Sequence, residues 1–144
     1  MQAVNPDWEG RVRSDFARQG AMRLIGAEIA AAEPGLCRLR APFREDLSQH
    51  HGYFHAGITS ALADTAGGFA GYSLMPAGGE VLTTEFKINL VAPAKGSALL
   101  ATGRVVKPGR TLTVCELRVE AETGGGPVLV AVGLQTLICL MPRS

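Results

Sequence analysis

Between Leu47 and Gly79 the chain carries one formally charged residue, Asp64, among Ala, Gly, apolar and neutral polar side chains. A carboxylate buried and unpaired in such surroundings costs several kcal/mol, so Asp64 must meet solvent, a partner group or chemistry. From Ala56 to about Tyr72 the pattern predicts a helix whose bulky positions, Ile58, Leu62, Phe69 and Tyr72, stand among Ala and Gly. Gly67, Gly68 and Gly71 each cost about 1 kcal/mol of helix propensity relative to Ala. Close approach of neighbouring backbone offsets that loss, which suits a helix packed closely against a sheet. The same stretch contains His, Gln, Ser and Thr and never approaches about 20 strongly apolar residues, which excludes a membrane-spanning reading.

Spacing along that helix carries a functional expectation. Gly57 and Asp64 are seven residues apart, close to two turns, and so share a face about 10 Å apart along the axis. Gly57 falls in the first turn, where N–H groups lack intrahelical acceptors and the helix dipole favours negative charge. That environment suits a carbonyl oxygen becoming an oxyanion. A carbonyl held at the Gly57 amide is out of reach of Asp64 on the same helix, because a reacting atom lies within about 3 Å of its base. A second helix, antiparallel across a two-fold axis, would bring Asp64 of one chain to Gly57 of the other. The spacing predicts half of a dimeric site.

Other segments change period. Trp8, Val12 and Phe16 recur every four residues and predict a short amphipathic helix within residues 1–20, stopped by Gly20 and packed over the sheet edge. Met22 to Ala31 and Leu36 to Ala41 read as a hairpin around Glu33-Pro34-Gly35, and Pro42 through Phe54 as a polar loop. Leu82, Thr84, Phe86, Ile88 and Leu90 alternate with Thr83, Glu85, Lys87 and Asn89, the pattern of a half-buried strand. Ala98 to Lys107 and Thr111 to Glu122 form a second pair around Lys107-Pro108-Gly109-Arg110. Val128 to Leu140 is apolar on both faces, as a central strand covered on both sides would be. Two strands, one long helix and four further strands make an α+β domain spanning residues 1–144.

With 14 basic and 13 acidic residues the net charge is +1, too small for nucleic acid or a membrane surface to be an electrostatic partner. A small molecule is the expected ligand. Cys37, Cys115 and Cys139 are odd in number and lack metal or redox spacing, which suits reduced thiols in or near a core. The first twenty residues have no apolar signal region, so a chain beginning at Met1 and residing in the cytoplasm is expected. His51 and His55 have the i, i+4 spacing of a helical metal pair, but Gly52 lies between them and both precede the helix; no metal is expected. Gly124-Gly125-Gly126 sits between strands and reads as a turn, not a phosphate loop.

The run from Gln49 through His55-Ala56-Gly57, followed by Leu62-Ala63-Asp64, resembles the signature of the hotdog-fold acyl-CoA thioesterases of the phenylacetic-acid-degradation (PaaI-like) type. That pattern is Asn, five residues, His-Gly-Gly, then Leu-x-Asp, with Asp nine positions after His. The chain keeps the His, the second Gly, the Leu and the Asp, with Gln49 in place of Asn and Ala56 in place of the first Gly. The resemblance extends from about Met22 to Leu140. It implies a hotdog fold, an antiparallel sheet of five or six strands curled round the helix at 55–73, and a dimer with continuous sheets, paired further into a homotetramer.

It also implies hydrolysis of acyl-CoA thioesters without a cofactor. Asp64 is then general base to a water or nucleophile to the thioester carbonyl, and the Gly57 amide is the oxyanion donor. Gln49 orients water or carbonyl, and Thr83 assists the carboxylate; His55 belongs to the site or only caps the loop. Phe54 and Ala56 are expected at the substrate, and Arg104, Lys107 and Arg110 at the phosphates of coenzyme A or simply in a solvated turn. The N-terminal helix would on this reading lid an acyl tunnel. Two rival functions share the fold: a noncatalytic acyl-CoA binder, and an enoyl-CoA hydratase or dehydratase, which needs a His–acid pair that His55 and Asp64, half a turn out of phase, do not make.

Overall fold

Residues 1–142 are described by the computed structural model. The amphipathic N-terminal pattern forms α1 (Trp8–Arg18), with Val12 buried and Trp8 and Phe16 partly buried against the core. Gly20 does not end the helical region, contrary to expectation. Gln19 turns extended, and a second short helix, α2 (Gly20–Ile25), follows with Met22 and Ile25 buried one turn apart. Its helical period, and the capture of the Leu24 and Ile25 carbonyls by the distant Arg44 guanidinium at 2.7 and 3.1 Å, explain why the residues from Met22 onward are not strand. Gly26, at φ 74°, closes α2 in the left-handed conformation.

The first strand is therefore short, β1 (Glu28–Glu33), and pairs with β2 (Leu36–Pro42) across the expected turn, Glu33 opposite Leu36. A 3₁₀ turn at Glu45–Leu47 interrupts the polar loop before α3 (Ala56–Tyr72). Four long strands complete the chain: β3 (Glu80–Leu90), β4 (Ala98–Lys107), β5 (Leu112–Thr123) and β6 (Gly126–Leu140). All six join one curved antiparallel sheet in the order β1-β2-β4-β5-β6-β3, wrapped around α3. This is the hotdog fold.

Small residues set how close α3 lies to the sheet. Leu62, Ala63, Ala66 and Ala70 on its inner face are fully buried against Leu39, Leu99, Ala101, Leu117, Val119 and Leu137. A methyl group on Gly103 of β4 would overlap Gly67 N and Ala66 O, so helix and strand touch backbone to backbone. Each fully buried Leu contributes roughly 1.5–3 kcal/mol relative to exposure. Burial also pushes the Cys37 and Cys115 thiols up to about 12. Cys139 is half-buried, and all three thiols are free.

The N-terminal helix packs on the C-terminal half of α3. Phe16 meets Phe69 edge-on at 5.8 Å. Arg11 lies 4.4 Å over the Tyr72 ring and donates to Tyr72 Oη and to the carbonyls of Gly79 and Pro76. Tyr72 Oη donates to Asp15 Oδ2 at 2.6 Å; burial, with that bond, pushes the phenol up to about 12.

Two strands differ from their sequence patterns. β3 is the sheet edge, bonded only to β6, and Leu82, Phe86 and Leu90 are 58 %, 43 % and 53 % exposed within the protomer. β6 buries Ala131 and Leu137 against the helix side but leaves Leu134 and Leu140 open on the other. A bulge between Thr83 and Glu85 also breaks the expected alternation of β3, turning Thr83 to the inner face with Phe86, Ile88 and Leu90 and leaving Leu82 on the outer one.

Candidate active site

The loop Leu47–His55 delivers the chain to α3 through a tight turn. Gln49 N donates to Tyr53 O at 2.8 Å and Gly52 N to Gln49 O at 2.9 Å, with Gly52 left-handed at φ 79°. Gln49 Oε1 accepts from His51 N within this turn, so the amide braces the loop while its Nε2 has no acceptor among the described residues. His55 caps the helix, its Nδ1 accepting the Gly57 N–H at 2.8 Å. Imidazole thus does the work usually given to Ser, Thr or Asp. The expected oxyanion donor at Gly57 is consequently engaged within its own chain, whereas the neighbouring Ala56 N–H has no acceptor among the described residues.

A cleft of about 590 Å³ opens beside this helix start. Gln49, Phe54, His55, Ala56 and Thr59 line one side and the 90–94 segment the other. Phe54 is itself mostly buried, packed edge-on to Phe43 at 5.1 Å, and presents only a margin to the cleft. Thr59 Oγ1 is buried here without a partner. Lys95 holds its ammonium 5.9 Å from the ring centroid of Tyr53, which lines the cleft.

Asp64 opens into a second cleft, of about 280 Å³, with Gln19, Gly68, Phe69, Val81 and Thr83. Thr83 Oγ1 donates to Asp64 Oδ1 at 2.7 Å. Gln135 Nε2, reaching across from β6, donates to the same oxygen at 2.6 Å and contacts Thr83 Oγ1 at 3.1 Å. Asp64 Oδ2 has no hydrogen-bond partner among the described residues. One oxygen is held from two strands while the other faces the cleft. Such a carboxylate can take a proton from water or attack an electrophilic carbon.

Thr83 and Asp64 are brought together; Gln49, His55, Ala56 and Gly57 gather separately about two helical turns away. The cations expected at coenzyme A reach neither group. Arg104 stands exposed on the sheet face away from α3, Lys107 ends β4, and Arg110 shares a pocket with Gly71, Leu74 and Met75 at the far end of the helix. The strand alternation and the length of α3 put them there. Sequence reading missed Gln135, Thr59 and Lys95; a Gln–Thr pair interrupting an otherwise apolar strand was the visible sign of the first.

The model of the thioesterase superfamily matches residues 51–128, which span the helix start, Asp64 and Thr83. The chain belongs to that superfamily. A thioesterase family protein from Silicibacter pomeroyi, 41 % identical, superposes with a TM-score of 0.92 over 94 % of this chain and 99 % of its own. A Halobacterium salinarum protein provisionally assigned as an esterase is 37 % identical over 130 residues, 85 % of each chain. The 1,4-dihydroxy-2-naphthoyl-CoA hydrolase of Listeria monocytogenes is 26 % identical over 104 residues, 72 % of this chain and 85 % of its own. The E. coli PaaI protein from the phenylacetic acid degradation operon shares the fold, with a TM-score of 0.83 over 96 % of both chains at 17 % identity. As a superfamily member the protein is a thioester hydrolase. No helix among the described residues of this thioesterase is long and apolar enough to cross a membrane.

Proposed function

We propose that this thioesterase hydrolyses acyl-CoA thioesters at a site shared between two antiparallel copies, each giving Asp64 to the helix start of the other. The observation that carries the reading is the Asp64 carboxylate itself, anchored through Oδ1 and open at Oδ2, two turns along the helix from the nearest unpaired backbone donor. The Ala56 N–H, and the Gly57 N–H once His55 gives way, hold the thioester oxygen as it gains charge. Preorganised donors of this kind are worth about 3 to 4 kcal/mol. Asp64 Oδ2 of the opposite chain either deprotonates a water that adds to the carbonyl carbon or adds to it directly. In the second route the C–S bond breaks to leave coenzyme A thiolate and a mixed anhydride, which water then opens.

The surroundings suit that substrate class. Around the helix start the cleft is mostly apolar, with Gln49, His51, Tyr53, His55 and Thr59 as its polar points, and Lys95, close to Tyr53, suits a phosphate-bearing ligand. The inner-face Phe86 and Leu90 at the free edge of β3 call for cover from a second copy, and the outward Leu134 and Leu140 are consistent with dimers pairing into a tetramer. The rival hydratase reading finds no His–acid pair to support it, since His55 Nδ1 accepts the Gly57 N–H while Asp64 bonds Thr83 and Gln135.

Subunit mixing tests the shared site. Asp64→Asn and Gln49→Ala chains, each inactive alone, are co-refolded and assayed for thiol release from an acyl-CoA panel. Random pairing makes about half the dimers hybrid, each with one intact site, so about a quarter of native activity returns. Sites confined to single chains would recover none.

A further inference from the structure

We propose that Gln135 is a positioning residue that, with Thr83, pins one oxygen of the Asp64 carboxylate so that the other alone is presented to the thioester or its attacking water. The inference rests on the reading of Asp64 as the reacting carboxylate.

Three oxygens surround one end of the Gln135 side chain: Asp64 Oδ1 at 2.6 Å, Asp64 O at 3.0 Å and Thr83 Oγ1 at 3.1 Å. Two of these accept only, so the amide nitrogen must face them. The Thr83 hydroxyl gives its single proton to Asp64 Oδ1 and accepts from Gln135, which closes a ring of bonds linking α3, β3 and β6. Thr83 lies on the exposed edge strand, whereas Gln135 is 1 % exposed and sits in the interior of the sheet. Gln135 is thus the rigid member of the pair.

Stability does not account for this residue. Its Oε1 is buried without a partner, a loss that an apolar side chain of the same shape would avoid. Together with Leu117 it crowds the middle of α3, where a methyl group on Gly67 would overlap Oε1 and come within 2.6 Å of Leu117 Cδ2. The unpaired oxygen would be avoided if the strand carried a Met or Leu here, as its other inward positions carry apolar residues. What would be lost is the donor to Asp64 and its backbone. A carboxylate free to rotate about its side-chain torsions spends much of its time with neither oxygen aimed at the substrate, and orientation errors near 1 Å cost on the order of 100-fold in rate.

Two variants separate the parts of this role. Gln135→Met keeps length and volume without donors; Gln135→Asn keeps the amide but falls short of Asp64. Both are expected to lower kcat for acyl-CoA hydrolysis at least about tenfold with KM within about twofold of native, since the interaction acts on the reacting group and not on substrate binding. Gln135→Met is expected to melt no lower than the native chain. In an Asp64→Asn background neither variant lowers the residual rate further, the non-additivity of groups that act as a unit. Native kcat in either folded variant, with Asp64→Asn inactive, overturns the positioning role. Native kcat in Asp64→Asn itself overturns instead the reading on which it rests.

Discussion

Asp64 is legible as special because it is the sole charge in its stretch, and what makes it reactive is how its two oxygens differ. Oδ1 takes bonds from Thr83 and Gln135; Oδ2 takes none within the described residues. Asp64→Asn keeps shape and can keep one bond to Thr83, yet offers neither a base nor a nucleophile. Turnover on acyl-CoA substrates is expected to fall at least about 100-fold with the melting temperature little changed, checked by thiol release beside thermal denaturation. The isolation of its charge marked Asp64, and the family resemblance marked Thr83. Neither marked Gln135, since strand period says which face a side chain takes but not which helix turn it will meet. His55 shows the opposite limit: its place before the helix was evident, whereas its bond to the very amide expected to be free required coordinates.

At the scale of elements, glycine does the joining. Gly103 and Gly67 let β4 and α3 meet without intervening side chains, and that contact fixes the depth at which Asp64 sits relative to Thr83 and Gln135. Gly103→Ala forces overlap with the Ala66 carbonyl, where no flexible side chain can yield. Overpacking of this sort destabilises by about 1–3 kcal/mol or more, to be measured as a drop in the urea midpoint at constant slope. Gly67 and Gly71 were readable as a sign of close approach, though their partner strands were not; Gly68, expected to be alike, meets nothing within 4 Å and lines the cleft beside Asp64. Likewise α2 escaped notice because six residues hold too little period to outvote a neighbouring strand pattern, and its cap is an arginine some twenty residues on.

For the whole molecule, burial of the Cys37 and Cys115 thiols and the Tyr72 phenol sets an alkaline limit. Each is pushed up to about 12 in the fold, from 9.0 for the thiols and 10.0 for the phenol, chiefly by desolvation. The unfolded chain therefore loses these protons first as pH rises, and stability, complete below pH 9, is expected to decline between about pH 9 and about pH 12. Urea denaturation across that range checks it; a flat profile would show that these groups titrate alike in both states. At the same scale, the uncovered apolar residues of β3 explain why an ideal half-buried pattern is mostly exposed in one chain.

Local chemistry was enough to determine the turn-delimited strands, the small-residue helix and the isolation of one carboxylate within it, because periodicity, glycine content and charge act over a few residues. Which side chains converge on that carboxylate, which amide at the helix start is already taken, and which strand is left as an edge were decided by tertiary structure. Those outcomes depend on register between segments tens of residues apart, where a shift of one position turns a side chain to the opposite face of the sheet.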